Sequence, residues 1–170
     1  MLTPRLGWYF VTVCVKKHEC FLGDIKNEQI IPNKFGKIVI NCWLQIDKKY
    51  RNIKLDEFVL MPNHIHGIIQ IIEENMVEKN HVGAIHELLL QSDMDSDDQM
   101  FRRKMLLPKI IGYFKMNAAK KINKIRDLKG IPVWHRNYYE HIIRNEDELK
   151  RIRQYIKYNP VNWKEDDLYV

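Results

Sequence analysis

The amino-acid sequence predicts an α+β fold, in which short strands alternate with amphipathic helices. Residues 8–15 and 64–72 are rich in β-branched and aromatic side chains, a composition typical of strands. Residues 111–125 carry apolar side chains at intervals of three and four, which is typical of a helix with one buried face. The chain of 170 residues is long enough to bury a core, and it has no apolar stretch of membrane-spanning length.

The predicted elements occur in the order strand, helix, strand, strand, helix, strand, helix. The predicted strands are residues 8–15, 57–61, 64–72 and 138–143. The predicted helices are residues 35–48, a segment from Pro108 to residue 125, and a segment from residue 146 to Asn159. The first six elements match the ferredoxin-like β-α-β-β-α-β arrangement, whose four strands form an antiparallel sheet. The seventh is an added C-terminal helix.

Local signals mark the ends of these elements. Pro62 with Asn63 predicts a tight connection between the second and third strands. Asn145, followed three residues later by Glu148, is a capping signal for the start of the last helix. Pro160 cannot continue a helix and therefore predicts its end.

Residues 73–100 follow neither periodicity, and they include a strongly acidic segment at 92–98. This composition predicts a long loop or partly disordered insertion within a single domain of residues 1–170. His81 and His86 lie five residues apart in this segment. We interpret them as surface histidines rather than as a second metal site.

The three cysteines, Cys14, Cys20 and Cys42, show no CxxC spacing and leave an odd count. The first residues lack a charged segment followed by an apolar run, so no secretory signal is predicted. Together these observations predict reduced thiols in a cytoplasmic protein, which would associate with the nucleoid when bound to DNA.

The positive charge of the chain is concentrated in one segment. The net charge is +6 and the isoelectric point is about 9.1, which favours an anionic partner such as nucleic acid. Residues 102–126 contain nine basic residues and no acidic one. We therefore predict a DNA-backbone surface on this helix, with Tyr113, Asn117, Lys120 and Lys124 opposite its apolar side. A solvated basic face without a partner is the alternative.

The sharpest local feature is the pair His64 and His66 on the third predicted strand. Side chains two residues apart on a strand point to the same face, so both imidazoles can bind one divalent ion. Ile65, Ile69 and Ile71 occupy the other face. For an isolated motif, two surface histidines without a partner are the alternative. Here apolar runs flank the pair and predict a central strand, where two imidazoles need a polar role.

Tyr155 and Asn159 form a second feature, on the last helix. A spacing of four residues puts both side chains on one helical face, with Cβ atoms roughly 6 Å apart. Asn159 can then be a third ligand of a metal held by the histidines, and Tyr155 a nucleophile beside it. The alternative is that Tyr155 packs as ordinary core and that Asn159 caps the helix. Tyr158 competes by proximity but is rotated about 100° around the helix.

In combination, these features resemble the HUH single-tyrosine transposases, most closely the REP-associated tyrosine transposases. The matching segments are residues 9–12, residues 59–66 with the sequence VLMPNHIH, residues 133–144, and residues 155–160 with the sequence YIKYNP. They span nearly the whole chain in the order found in the family. Members of the family have a ferredoxin-like core, which agrees with the element order predicted above.

The resemblance implies a metal-dependent enzyme that cleaves and joins strands of single-stranded or hairpin DNA. His64, His66 and Asn159 would hold Mg²⁺ or Mn²⁺. Tyr155 would attack a phosphodiester and form a 5′-phosphotyrosine link, leaving a free 3′-hydroxyl. The partner is expected to be DNA rather than a membrane, and the protein is expected to act as a monomer or a homodimer.

Basic and aromatic residues outside this centre are expected to hold the DNA. Arg136 and Arg144 can bind phosphates, and Trp134, Tyr138 and Tyr139 can stack on bases. The alternative is that Trp134 and one of the tyrosines lie in the core, and for Trp134 we prefer this interpretation. The residues expected to contact the DNA backbone are Lys115, Lys120, Lys121, Lys124, Arg126, Arg136 and Arg144.

Two other functions remain open at this point. One is a nucleic-acid-binding protein with this fold and no cleavage activity. The other is a metal-dependent hydrolytic nuclease, in which an activated water rather than Tyr155 attacks the phosphate.

Overall fold

The computed structural model describes residues 6–72 and 105–170. The strands are β1 (Gly7–Cys14), β2 (Gly23–Lys26), β3 (Gln29–Pro32), β4 (Ile53–Leu60), β5 (His64–Ile71) and β6 (Tyr139–Ile143). The helices are α1 (Lys34–Trp43), α2 (Ile46–Lys49), α3 (Leu106–Ile125) and α4 (Glu146–Tyr158). Short 3-10 turns lie at Lys16–His18 and Trp163–Glu165.

Four strands form one antiparallel sheet in the order β4-β5-β1-β6. This is the strand order of the ferredoxin-like arrangement, and α4 follows β6 as the added helix, so the predicted α+β fold is confirmed. The three cysteines are free thiols, as predicted. In the described ranges, no helix is both long and apolar enough to cross a membrane. The predicted insertion at 73–100 lies outside the described residues.

The hairpin of β2 and β3 is an element that the sequence pattern does not predict. Each strand has only four residues, too few for alternation to stand out, and Pro32 ends the second one. Asn27 and Glu28 form the turn with φ angles of 50° and 62°. Positive φ at both central positions is typical of the tight turns that join antiparallel strands.

Two predicted boundaries are wrong. The helix predicted at 35–48 is divided, since α1 ends at Trp43 and α2 begins at Ile46. The strand predicted at 57–61 begins earlier, at Ile53, and its register with β5 shifts between Leu55 and Phe58. An irregularity of this kind interrupts the alternation of buried and exposed side chains, so the sequence pattern reveals only the end of the strand.

One face of the sheet packs against α1 and α3, which also contact each other. Ile111, Phe114, Ala118 and Ile122 of α3 recur at helical spacing and are buried there, as predicted. Ile125, which was predicted to join them, is exposed because it lies at the end of the helix. Trp43 lies at the centre, stacked on Phe58 at 5.1 Å and edge-on to Phe114 at 5.5 Å between ring centroids. The main core on this face includes Val11, Val13, Ile65, Ile69, Ile110 and Ile122.

Gly67 gives a test of this packing, because the Trp43 ring lies directly over it and a Cβ would collide with the ring. We expect Gly67→Ala to lower the free energy of unfolding by about 1–3 kcal/mol, the usual cost of overpacking a filled core. Gly112→Ala in α3 is the matched control, since nothing lies within 4 Å of its Cβ position. That change should leave stability equal or higher. Urea unfolding of both variants measures the difference, and equal stability for both would contradict the close packing.

The other face of the sheet is covered by α4. Leu149 and Ile156 of the helix pack with Ile68 and Ile143 of the sheet. Arg153 fixes the helix beside β4, because it donates hydrogen bonds of 2.6 and 3.0 Å to Asp56 and lies 5.6 Å from the centre of the Trp8 ring. The last helix is therefore held over the face of β5 that carries His64 and His66.

Candidate metal and tyrosine site

His64 and His66 are buried side by side on β5, on the face of the sheet that α4 and the residues after it cover. The Nε2 atoms of the two rings are 3.0 Å apart. Their placement on one strand face, opposite Ile65, Ile69 and Ile71, is the predicted one. Nitrogen ligands at about 2.1 Å from one ion stand roughly 3 Å apart, so this spacing suits a shared ion.

Asn63 sets the orientation of the His64 ring. Its Nδ2 donates to the backbone carbonyls of His18 at 3.1 Å and Leu168 at 2.7 Å, which fixes the direction of the amide. The Asn63 Oδ1 therefore faces His64 Nδ1 at 2.7 Å, and that nitrogen must carry the proton. The Nε2 of His64 is then left with a lone pair for a ligand.

Thr12 plays the corresponding role for His66. The Thr12 hydroxyl lies 2.7 Å from His66 Nδ1, and Thr12 pairs directly with His66 across β1 and β5. The Phe10 ring, two residues before Thr12, stacks on the same imidazole with ring centroids 5.2 Å apart. Both histidines thus have an Nδ1 contact on one side and direct Nε2 toward a common point.

Burial keeps both imidazoles neutral. Loss of hydration lowers the pKa of His64 to about 4, although the charge of Asp166 opposes the shift. Burial likewise lowers the pKa of His66 well below its usual value, and the neighbouring His64 lowers it further. Neutral imidazole is the form that binds metal, so the pair is ready to bind an ion at neutral pH without first losing a proton.

Tyr155 of α4 contacts the histidine pair, and Asn159, at the end of the helix, contacts Asp166 beside it. The Tyr155 hydroxyl lies 3.3 Å from His66 Nε2, and its ring makes an edge contact with Phe10 at 6.1 Å. Tyr155 is 48% exposed, so a large substrate can reach it. Asn159 is only 2% exposed, and its Oδ1 has no hydrogen-bond partner among the described residues.

Tyr158 differs from Tyr155 in its surroundings. It is 53% exposed, and the described contacts include none between its side chain and the two histidines. The described contacts of α4 therefore agree with the prediction that Tyr158 is rotated away from the histidine pair.

The surroundings of Tyr155 disfavour its phenolate form in the protein alone. Burial raises the pKa of Tyr155, and the negative charge of Asp166 raises it further. A hydrogen bond from Asn159 acts in the opposite direction but is the smaller effect. The phenol is therefore protonated at neutral pH unless a cation occupies the site.

Asp166 is a residue of this site that the sequence analysis missed. One ligand atom from each of His64, His66 and Asp166 lies within 4.8 Å of the other two. The carboxylate Oδ2 accepts a hydrogen bond of 2.8 Å from Asn159 Nδ2. The only sequence signal is a short acidic run at residues 165–167, which is common on surfaces.

The donor set fits a divalent metal ion. Two neutral imidazole nitrogens, a carboxylate oxygen and the unpartnered Oδ1 of Asn159 are the ligand types found with Mg²⁺, Mn²⁺ and Zn²⁺. An unsatisfied buried amide oxygen costs free energy unless something binds to it, and a cation would.

The predicted basic residues of α3 lie on the far side of the sheet from the histidines. Lys120, Lys121, Lys124 and Arg126 are exposed there, and Arg126 also lies 5.2 Å from the centre of the Phe21 ring. The structure therefore does not bring these residues to the candidate metal site, although their exposure leaves them accessible to DNA.

Lys115 has a structural role in the protein alone. Its Nζ donates hydrogen bonds of 2.8 and 2.9 Å to the backbone carbonyls of His135 and Arg136. This contact joins α3 to the loop before β6. Arg136, which precedes this edge strand in the chain, and Arg144, which follows it, are both exposed.

The three predicted stacking residues differ in exposure. Trp134 is buried, and its indole Nε1 donates to the backbone carbonyl of Lys115 at 3.1 Å, so the preferred interpretation of a core position is confirmed for this residue. Tyr138 is partly buried and donates to Glu140 at 2.8 Å. Tyr139 is exposed on β6, with its ring 6.4 Å from that of Phe10, and it remains a candidate.

Comparisons with known proteins agree with this description at the level of the fold. The structure resembles that of a REP-associated tyrosine transposase bound to a REP hairpin, with a TM-score of 0.52 and 17% identity. The match covers 96% of this chain and 72% of that one. The chain thus has the ferredoxin-like fold of a single-tyrosine transposase, and the resemblance expected from the sequence is confirmed for the fold.

The sequence is also similar to that of a bacterial protein. It is 39% identical over 167 residues to a protein of Haemophilus influenzae that is described as uncharacterized. The match covers 96% of this chain and 86% of the relative. No family model matches the sequence. The chain belongs to the same family as the Haemophilus influenzae protein.

Proposed function

We propose that this protein is a transposase-like enzyme that cleaves and joins DNA strands through Tyr155, with a divalent metal ion as cofactor. The observation that carries the proposal is the convergence of Tyr155 with the buried histidine pair. A tyrosine hydroxyl 3.3 Å from His66, and accessible from solvent, has the placement of a nucleophile beside a metal site. The fold shared with a REP-associated tyrosine transposase supports the same function.

The reaction is a transfer of the phosphoryl group to the tyrosine. The Tyr155 oxygen bonds to phosphorus, the bond to the 3′-oxygen of the DNA breaks, and the 5′ end stays attached to the protein. The phenolic proton leaves to solvent, and the departing 3′-oxygen takes one up. Attack by a 3′-hydroxyl reverses these steps and joins strands without ATP, because the phosphotyrosine keeps the bond energy.

The metal is proposed to be Mg²⁺ or Mn²⁺, held by His64, His66 and Asn159. When bound, it would neutralise charge on the scissile phosphate and favour ionisation of the tyrosine. Asn63 and Thr12 would keep the Nε2 atoms of the histidines aimed at it. The edge contact with Phe10 holds the Tyr155 ring on the same side.

The substrate is proposed to be single-stranded or hairpin DNA. Arg136 precedes β6 and Arg144 follows it, and β6 is an edge strand at which the histidine face of the sheet and the α3 face meet. DNA that contacts both faces would pass this edge, where phosphates can meet the two arginines and a base can stack on exposed Tyr139. The exposed lysines of α3 would then hold a more distant part of the substrate.

The α3 surface can be tested through salt. We expect Lys120→Gln with Lys124→Gln to weaken binding of all DNA sequences similarly, and to reduce the log–log salt slope by about one unit per lost phosphate contact. Lys48→Gln with Lys49→Gln on α2 removes the same charge elsewhere and is the matched control. Fluorescence anisotropy over a range of salt measures the slope. The same slope in both double variants would place the DNA elsewhere.

A gel experiment tests the function itself. The wild-type chain is incubated with labelled single-stranded hairpin oligonucleotides and Mn²⁺, with and without EDTA, and the products are separated under denaturing conditions. A labelled band at the protein's mass that requires Mn²⁺ is the expected result. Nicked DNA without such a band would indicate a hydrolytic nuclease. Binding without any cleavage would indicate a protein that only binds nucleic acid.

A further inference from the structure

We propose that Asp166 is a ligand of the metal ion, and that residues 163–169 are a part of the metal centre. This inference rests on the proposed function, because it concerns the same ion. It adds a charged ligand from a segment for which the sequence gives no motif. It also gives Asn159 a second role, as the residue that positions the Asp166 carboxylate.

The geometry of the carboxylate supports direct ligation. Its Oδ1 accepts a hydrogen bond of 2.7 Å from the backbone N–H of Leu168, and its Oδ2 accepts one of 2.8 Å from Asn159. An ionised carboxylate has about four acceptor positions, so two remain for an ion. Because both oxygens are already fixed, binding would cost little side-chain entropy.

Two further contacts hold the surrounding segment against the histidine site, and a third lies within the segment. Asn63 donates to the Leu168 carbonyl at 2.7 Å, and the same side chain contacts His64. The buried Trp163 ring lies 5.9 Å from the His64 ring, and Tyr169 packs edge-on to Trp163 at 5.2 Å. A residue that sets the His64 ring therefore also holds the segment that carries Asp166.

Ligation by Asp166 would change which metal ions the site prefers. Two neutral imidazoles and an amide would leave the full charge of the ion uncompensated, and nitrogen ligands alone favour zinc or copper. A carboxylate adds one negative charge and a hard oxygen donor, which Mg²⁺ and Mn²⁺ prefer. Asp166 would thus raise the affinity for these ions, and ion binding would in turn stabilise residues 163–169 in place.

Calorimetric titration of the full chain with Mn²⁺ tests the proposal. We expect Asp166→Asn to weaken Mn²⁺ binding by more than about tenfold, because even outer contacts of metal sites contribute about tenfold or more. Asp167→Asn is the matched control, since it removes the same charge from the adjacent exposed residue. It should change the affinity by less than about twofold, as expected for a screened surface charge. Circular dichroism monitors folding, and Asp166→Ala replaces the asparagine variant if that one does not fold.

Trypsin cleavage after exposed Lys164 gives a second measurement that is independent of activity. Mn²⁺ should slow this cleavage in the wild type and in Asp167→Asn, and should not slow it in the Asp166 variants. If the wild type binds Mn²⁺ and an Asp166 variant binds it equally tightly, Asp166 is not a ligand, and the proposed function stands. If the wild type binds no Mn²⁺, the metal dependence in the proposed function fails, and the role of Asp166 fails with it.

Discussion

Tyr155→Phe is expected to abolish the covalent protein–DNA adduct and to leave folding, metal binding and DNA binding intact. The substitution removes one oxygen and keeps the ring, so the contact with Phe10 is retained. The lost hydrogen bond to His66 is worth only about 1 kcal/mol, and the side chain is half exposed. The chemical step, however, loses its nucleophile. Denaturing electrophoresis with labelled hairpin DNA and Mn²⁺ measures the adduct directly.

Tyr158→Phe is the matched control for this experiment, because it removes the same oxygen from the same helix. Tyr158 is exposed to a similar degree, but no described contact joins it to the histidines. Its variant should form the adduct at the wild-type rate. If the adduct persists in Tyr155→Phe and disappears in Tyr158→Phe, the nucleophile is Tyr158, and the role assigned to Asn159 through its spacing from Tyr155 is wrong as well.

The parts of the fold that the sequence predicts are those with a clear apolar pattern between turn or capping signals. β5 is an apolar segment that follows a turn and is buried on both faces, and the Asn145 cap marks the start of α4. Elements with weaker patterns are missed or misplaced. The β2–β3 hairpin is short and partly exposed, and the register shift in β4 separates its two ends.

Some residues of the candidate site could likewise be predicted from the sequence, whereas one could not. His64, His66, Tyr155 and Asn159 could be proposed from the sequence because spacing within one element fixes which side chains share a face. Asp166 joins them through the path of the chain after α4, where no periodicity applies. Such contacts depend on tertiary structure, and a single sequence carries no signal for them.

The sign of the electrostatic effect at Tyr155 also depends on tertiary structure. The chain has a net charge of +6, which favours the phenolate in a general way. Burial nevertheless raises the pKa of Tyr155, and the negative charge of Asp166 raises it further. The single charge of Asp166 affects this pKa more than the net positive charge of the whole chain does, because salt screens exposed charges beyond about 10 Å.

Thr12→Val provides a graded perturbation of the metal site that leaves both histidine rings in place. Valine has nearly the shape of threonine but cannot form the 2.7 Å contact with His66 Nδ1. Loss of such an outer contact typically weakens metal binding by about 10–100-fold. The Thr12→Val variant should therefore need a higher Mn²⁺ concentration than the wild type to cleave DNA. Such a shift would show that the orientation of the His66 ring, and not only its presence, contributes to metal binding.

Replacing His64 and His66 together with alanine is expected to abolish Mn²⁺ binding and DNA cleavage while the fold is retained. The two rings are buried, so removing both has two effects on stability of opposite sign. It takes away buried polar groups, which favours folding, and it leaves a cavity, which disfavours it. The core that determines the fold lies on the other face of the sheet. Thermal unfolding of the metal-free variant tests whether the fold is retained. Calorimetry measures Mn²⁺ binding, and electrophoresis measures DNA cleavage. Normal cleavage by the double variant in Mn²⁺, or full cleavage by the wild type in EDTA, would show that the histidine pair does not act through a metal.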